Sequence, residues 1–197
     1  MTIVNNTLLH TEFGEFKINY HKIDNLYCLS LSMGNMNKPN TIIRLHSSCL
    51  FSESLSSIDC DCNLQLQHAM KIIAEHKRGV IIYLFQEGRG HGLSNKIAAM
   101  EIERTKGVDT VEAFNELHFD LDPRNYDIAI KALKELRVNR KIRLITNNPR
   151  KKKQLENGGF IITRRVILTY PTNDLVKKYL NVKKNKLGHI IPLELIT

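Results

Sequence analysis

The chain has 197 residues, enough for one ordinary domain with a buried apolar interior. Its 42% hydrophobic and 25% charged residues are those of a globular protein in water, and no apolar run reaches the length of a membrane span. A formal charge of +9 favours anionic partners but does not separate nucleic acids, acidic membrane surfaces and nucleotide phosphates.

In chain order, the start Met1-Thr2-Ile3-Val4-Asn5-Asn6 lacks the basic, apolar and cleavage regions of a secretory signal, which places the protein in the cytoplasm. Apolar, β-branched runs at Tyr27 to Met33, Thr41 to Leu45, Gly79 to Phe85, Lys141 to Thr146 and Phe160 to Thr169 read as strands. Leu64, Leu66, Ala69, Met70, Ile72 and Ile73 fit one buried helix face, and Ile128, Ala129, Ala132, Leu133 and Leu136 fit another. A further helix has Asn148 as N-cap, Pro149 at its first position and Gly158-Gly159 at its exit. Strands alternating with helices predict an α/β fold, read as a single domain over residues 1–197. The lysines Lys177, Lys178, Lys183, Lys184 and Lys186 read as solvated helix faces. No zinc-finger, ribonucleoprotein or recognition-helix signature accompanies the basic charge, so neither nucleic acid nor membrane is an expected partner.

Four constellations carry chemistry. Cys49, Cys60 and Cys62 cluster in sequence, which in a cytoplasmic chain favours metal over disulfide. Three soft thiolates suit zinc and leave its fourth tetrahedral position open for a water; incidental thiols are the alternative. Cys28, in an alternating strand pattern, reads as a small buried residue. The loop from Gln86 to Lys96 follows a strand end, where ligands collect. There Glu87 can accept from the N1 and amino edge of guanine, Arg89 can fork onto phosphate, and Gly88 permits close backbone approach; a turn capping a helix is the plainer reading. His91 reads as structural. Thr146 to Lys151 joins a strand end to a helix start, which suits phosphate as well as an ordinary cap. By composition Asp122-Pro123-Arg124 is a turn.

Together these pieces resemble the GTP cyclohydrolase II family. The resemblance rests on Arg44-Leu45-His46-Ser47, Cys49 with Cys60-Asp61-Cys62, Gln86-Glu87-Gly88-Arg89, Asn95-Lys96, Asp109-Thr110-Val111-Glu112-Ala113, Asp122 with Arg124, and Thr146-Asn147-Asn148-Pro149, with a trace at Lys186-Leu187-Gly188-His189. It implies a mixed sheet with flanking helices and zinc at Cys49, Cys60 and Cys62. GTP would be bound by Arg44, Leu45, His46, Ser47, Ser48, Gln65, Glu87, Gly88, Arg89, Thr110, Thr146 and Lys151. Asp122 would be the proton acceptor, and Arg124 matches a residue assigned as nucleophile toward the α-phosphorus. A guanidinium stays protonated, so charge stabilisation of phosphate is the physically easier role for Arg124. The family also implies magnesium with the triphosphate and a homodimer.

The implied reaction opens the imidazole ring of GTP, releases pyrophosphate and, if a second hydrolysis occurs, formate. The alternatives are a paralogue stopping at the formylated pyrimidine or serving a pathway other than riboflavin synthesis, and a non-catalytic purine-nucleotide binder. Several positions depart from the family pattern: Ser48 stands for a glutamate, Leu50-Phe51-Ser52-Glu53 for Leu-Thr-Gly-Asp, Asp59 for an arginine, and Met100 for a tyrosine. Met100 bears on which product leaves.

Overall fold

The structure is a computed structural model that describes residues 2–120 and 122–196. Its strands are β1 (Thr2–Thr11), β2 (Gly14–Ile23), β3 (Leu26–Met33), β4 (Thr41–Ser47), β5 (Gly79–Leu84), β6 (Lys141–Ile145) and β7 (Ile161–Val166). Its helices are α1 (Leu50–Ser54), α2 (Cys62–His76), α3 (Leu93–Lys106), α4 (Thr110–Glu116), α5 (Asp127–Glu135), α6 (Pro149–Asn157) and α7 (Asp174–Leu187). The seven strands form one mixed sheet in the order β1-β2-β3-β5-β4-β6-β7. Antiparallel pairing joins β1, β2, β3 and β5, and parallel pairing joins β4, β6 and β7. The chain is thus an α/β protein with a mixed sheet and flanking helices. Its residues group into two compact units.

The first unit comprises Met1–His46, Leu64–Phe85 and Tyr126–Leu168 and contains the sheet core. Cys28, Ile43, Leu45, Val80, Ile82, Leu84 and Leu144 bury one face against Ile128, Ala129, Ala132 and Leu133 of α5, the helix face that the 3.6-residue spacing predicts. Gly79 is required by a close approach, because a Cβ there would sit 2.7 Å from the Ile73 side chain and 2.8 Å from the Ile42 carbonyl. Asn148 Oδ1 accepts from Arg150 N at 2.8 Å with Pro149 next, so α6 begins as its sequence predicts.

The five expected strands are present with shifted ends. β4 runs on to Ser47, and the last strand is only Ile161–Val166. Residues 2–23 add two strands that the apolar runs do not announce. In β2 the inward positions include Asn19, whose Nδ2 donates to Ser30 Oγ at 2.9 Å, and His21, whose ring nitrogens lie 2.8 Å from Ser30 Oγ and 2.9 Å from Glu135 Oε2.

The second unit comprises Ser47–Asn63, Gln86–Asn125 and Thr169–Thr197 and is helical. Ala99 of α3 and Ala113 and Phe114 of α4 form its small core with Ile102, Val108, Leu117 and Phe119. Asp109 and Glu112 close a capping box at the start of α4. Among the described residues no helix is long and apolar enough to cross a membrane.

Candidate functional site: a three-thiol cavity

Within the second unit, one cavity is lined by Ser47, Ser48, Cys49, Cys60, Cys62, Glu87, Gly88, Arg89, Met100, Thr110 and Arg124. Residues far apart in sequence, each singled out above, therefore share one wall. Local chain geometry explains the convergence: Cys49 is the N-cap of α1, Cys62 is the first residue of α2, and Gly88 to Gly90 form a tight turn after β5.

The three Sγ atoms lie within 4.8 Å of one another, with Cys49 and Cys60 at 3.6 Å. A tetrahedral zinc with bonds of about 2.3 Å needs sulfurs about 3.8 Å apart, so the cluster fits this metal in donor type and spacing. Hydrogen bonds from Cys60 and Cys62 hold Cys49 far below the ordinary thiol range, and the same contact with Cys49 raises Cys60 and Cys62. Cys28 stands apart in the sheet core, where burial first and the charge of Glu135 second push its thiol up to about 12.

Lys96 ties the cluster to the Glu87 loop. Its ammonium lies 2.7 Å from Glu87 Oε1, 3.3 Å from Cys49 Sγ and 4.4 Å from the centre of the Phe51 ring. Burial opposes that charge, but the hydrogen bond to Glu87 and the field of Cys49 outweigh it and raise the lysine above its usual value. Glu87 Oε2 accepts from Leu50 N at 2.8 Å, so each of its oxygens already has one partner and offers a ligand its remaining lone pair.

Arg89 occupies the left-handed region at φ 59, with its guanidinium 5.3 Å from the Phe114 ring and Nη2 3.4 Å from Thr110 Oγ1. Among the described residues its buried Nη1 has no partner, nor has Ser47 Oγ, which marks where a polar ligand group fits. Arg124 forks onto Asp122, with Nε to Oδ1 at 2.7 Å and Nη2 to Oδ2 at 2.9 Å. Gly90, at φ +94, packs against this pair: a Cβ there would lie 3.2 Å from Arg124 Cγ. His91 is structural, contacting the Asp120 carbonyl at 2.7 Å and stacking on Phe119.

The remaining expected residues belong to the first unit. Arg44 is buried, donating to Gln65 Oε1 and to the Ile145 carbonyl at 3.4 Å. The Leu45 side chain is wholly inside the core, which leaves only its backbone to meet a ligand, and its carbonyl accepts from Lys151 Nζ at 2.8 Å. His46 stacks on Tyr83. Thr146 Oγ1 accepts from Asn148 N at 3.1 Å, shaping the turn into α6.

Among the cavity residues that went unrecognised in sequence, Phe114 and Tyr179 carry no motif, and Glu103 looks like one of many charges on α3. Burial raises the Glu103 carboxyl, a position that only tertiary packing reveals. The lysines of the tail are not all solvated: Lys183 is 12% exposed and sits 3.1 Å from Asp61 Oδ1, because a buried carboxylate there requires a cation.

Comparison with known proteins accords with this geometry. The family model for GTP cyclohydrolase II matches residues 2–167. The chain is 40% identical over 199 residues to the GTP cyclohydrolase-2 of Buchnera aphidicola subsp. Baizongia pistaciae, covering 98% of each. It is 44% identical over 164 residues to that of Azotobacter vinelandii, covering 83% of this chain and 78% of the relative. The riboflavin biosynthesis protein RibBA of Synechocystis is 41% identical over 184 residues, covering 91% of this chain and 33% of its own; the chain thus spans only a third of that longer relative. The chain belongs to the GTP cyclohydrolase II family of hydrolases.

Proposed function

We propose that this chain hydrolytically opens the imidazole ring of GTP and releases pyrophosphate, with zinc on Cys49, Cys60 and Cys62. The observation that carries the reading is the trio of sulfurs within 4.8 Å on the wall that also holds Glu87, Arg89, Thr110 and Arg124. Cys49, Cys60 and Cys62 would hold the zinc, which when bound would supply Lewis-acid activation of the water that hydrolyses the ring at C8.

The side chains divide the remaining work. Glu87 faces the guanine edge through its unused lone pairs, and Gly88 lets the base approach the backbone. Arg89, with Thr110 fixing its fork and Nη1 unsatisfied, takes phosphate oxygens. Arg124 stabilises charge developing at the α-phosphate, and Asp122 orients it and accepts a proton. Ser47 and Ser48 supply hydroxyls; Arg44, Leu45, His46, Gln65, Thr146 and Lys151 complete the nucleotide contacts by family resemblance. On the same footing the reading takes magnesium with the triphosphate, a single functional domain, a homodimer, a cytoplasmic setting within riboflavin synthesis, and neither nucleic acid nor membrane as partner.

Met100 lines the cavity where the family pattern has tyrosine. A thioether donates no hydrogen bond, so removal of the formyl group, the second hydrolysis, loses a donor while ring opening keeps its metal. The formylated pyrimidine is then the product released. Incubating the zinc-loaded protein with GTP and identifying pyrophosphate, formate and the pyrimidine by mass spectrometry tests the reading. Binding without turnover would favour the non-catalytic alternative.

A further inference from the structure

Asp61, between two of the three thiol residues, is wholly buried, yet neither of its oxygens is used by the cavity. Oδ2 accepts from the Tyr170 hydroxyl and Oδ1 lies 3.1 Å from Lys183 Nζ. Both partners come from residues 169–197, beyond the 2–167 matched by the family model. The same segment pins the loop a second time, where Asn173 Nδ2 donates to the Ile58 carbonyl at 3.1 Å. The Lys183 ammonium lies 4.1 Å from the centre of the Tyr179 ring.

We propose that residues 169–187 are a clamp on the metal loop, with Tyr170, ahead of α7, and Lys183, on α7, as positioning residues that act on Cys60 and Cys62 through Asp61. The proposal rests on the metal reading above. With one residue between the two thiols, any rotation of Asp61 re-aims both neighbours, and two hydrogen bonds from a docked segment remove that freedom before a metal arrives. Partners outside the ligand set commonly tune metal affinity in this way. Lys183 also places a cation beside the buried Asp61 carboxylate, as a charge removed from water requires.

The test uses the full chain and measures zinc affinity by competition with chelators of graded strength, with far-UV circular dichroism as the check on folding. Tyr170→Phe and Lys183→Met should each weaken zinc binding about 10-fold or more. In an Asp61→Asn background neither should weaken it further. Lys186→Ala is the control: Lys186 sits on the same helix, paired with Asp109 and Glu112 rather than Asp61, and its loss should leave zinc affinity unchanged. If Lys183→Met fails to fold, Tyr170→Phe, which deletes one hydroxyl, carries the test. Wild-type affinity in Tyr170→Phe, equal loss in Lys186→Ala, or undiminished losses in the Asp61→Asn background would each overturn the clamp. A wild-type chain that takes up no zinc overturns the metal reading and the clamp with it.

Discussion

Glu87 and Lys96 form a 2.7 Å ion pair whose ammonium also stands 3.3 Å from Cys49 Sγ, so one cation serves both the Glu87 carboxylate and a thiol of the three-cysteine cluster. The pair's side chains are 16% and 17% exposed, which removes most of the solvent screening that weakens surface pairs. Glu87 is consequently locked in orientation rather than free to swing, and under the proposed function its geometry toward guanine is set before substrate binds.

Adenine lacks the N1–H that such a carboxylate needs. The expected discrimination between GTP and ATP is on the order of 10⁴-fold, as when a built polar site meets an analogue without its partner group. Paired kcat/KM measurements check this. ATP turned over at a rate comparable with GTP removes Glu87 from base recognition.

Arg124→Ala should stop pyrophosphate release, at a loss of about 10²-fold or more, and leaves Asp122 without its fork. Arg124→Lys keeps the charge but not the two parallel bonds, and should fall between the two. Pyrophosphate release by the alanine variant at the wild-type rate defeats the phosphate role.

Cys28, with its thiol raised to about 12 and its side chain in the sheet core, is thiol rather than thiolate at neutral pH. In native protein a maleimide should leave Cys28 unlabelled while the metal-free cluster reacts through the low-lying Cys49. Zinc should protect the cluster and change nothing at Cys28. Rapid labelling of Cys28 in the folded chain contradicts the separation of the two kinds of cysteine.

Much of this was legible in the chain, and the exceptions have a common physical cause. The apolar spacing of α5 and the cap at Asn148 report local rules, and both appear where expected. β2 was illegible because its inward face carries Asn19 and His21, polar side chains whose partners Ser30 and Glu135 come from other elements of the fold. The inward turn of Lys183 was hidden likewise, since a lysine-rich helix looks solvated until a buried carboxylate is known to face it. For the three cysteines, residue type and spacing left metal and incidental thiols both open, the family resemblance pointed to zinc, and the fold brings their sulfurs within 4.8 Å of one another. Glu103 and Tyr179 were not legible, because nothing in α3 or α7 marks which turn faces the cavity.

Met100→Tyr should restore a donor at the cavity wall and raise formate release from GTP by about 10²-fold. Formate assay beside mass spectrometry of the pyrimidine reads both steps. Stoichiometric formate from the unmodified chain would show that another group serves the second hydrolysis and that Met100 is packing.

The most direct measurement follows ring opening of GTP by mass spectrometry in protein stripped of metal, then reloaded with zinc, alongside Cys49→Ser, Cys60→Ser and Cys62→Ser. The account predicts no opened ring from stripped protein, recovery on adding zinc, and loss of opening in each variant while GTP binding is largely kept. Full ring opening by metal-free protein would contradict it.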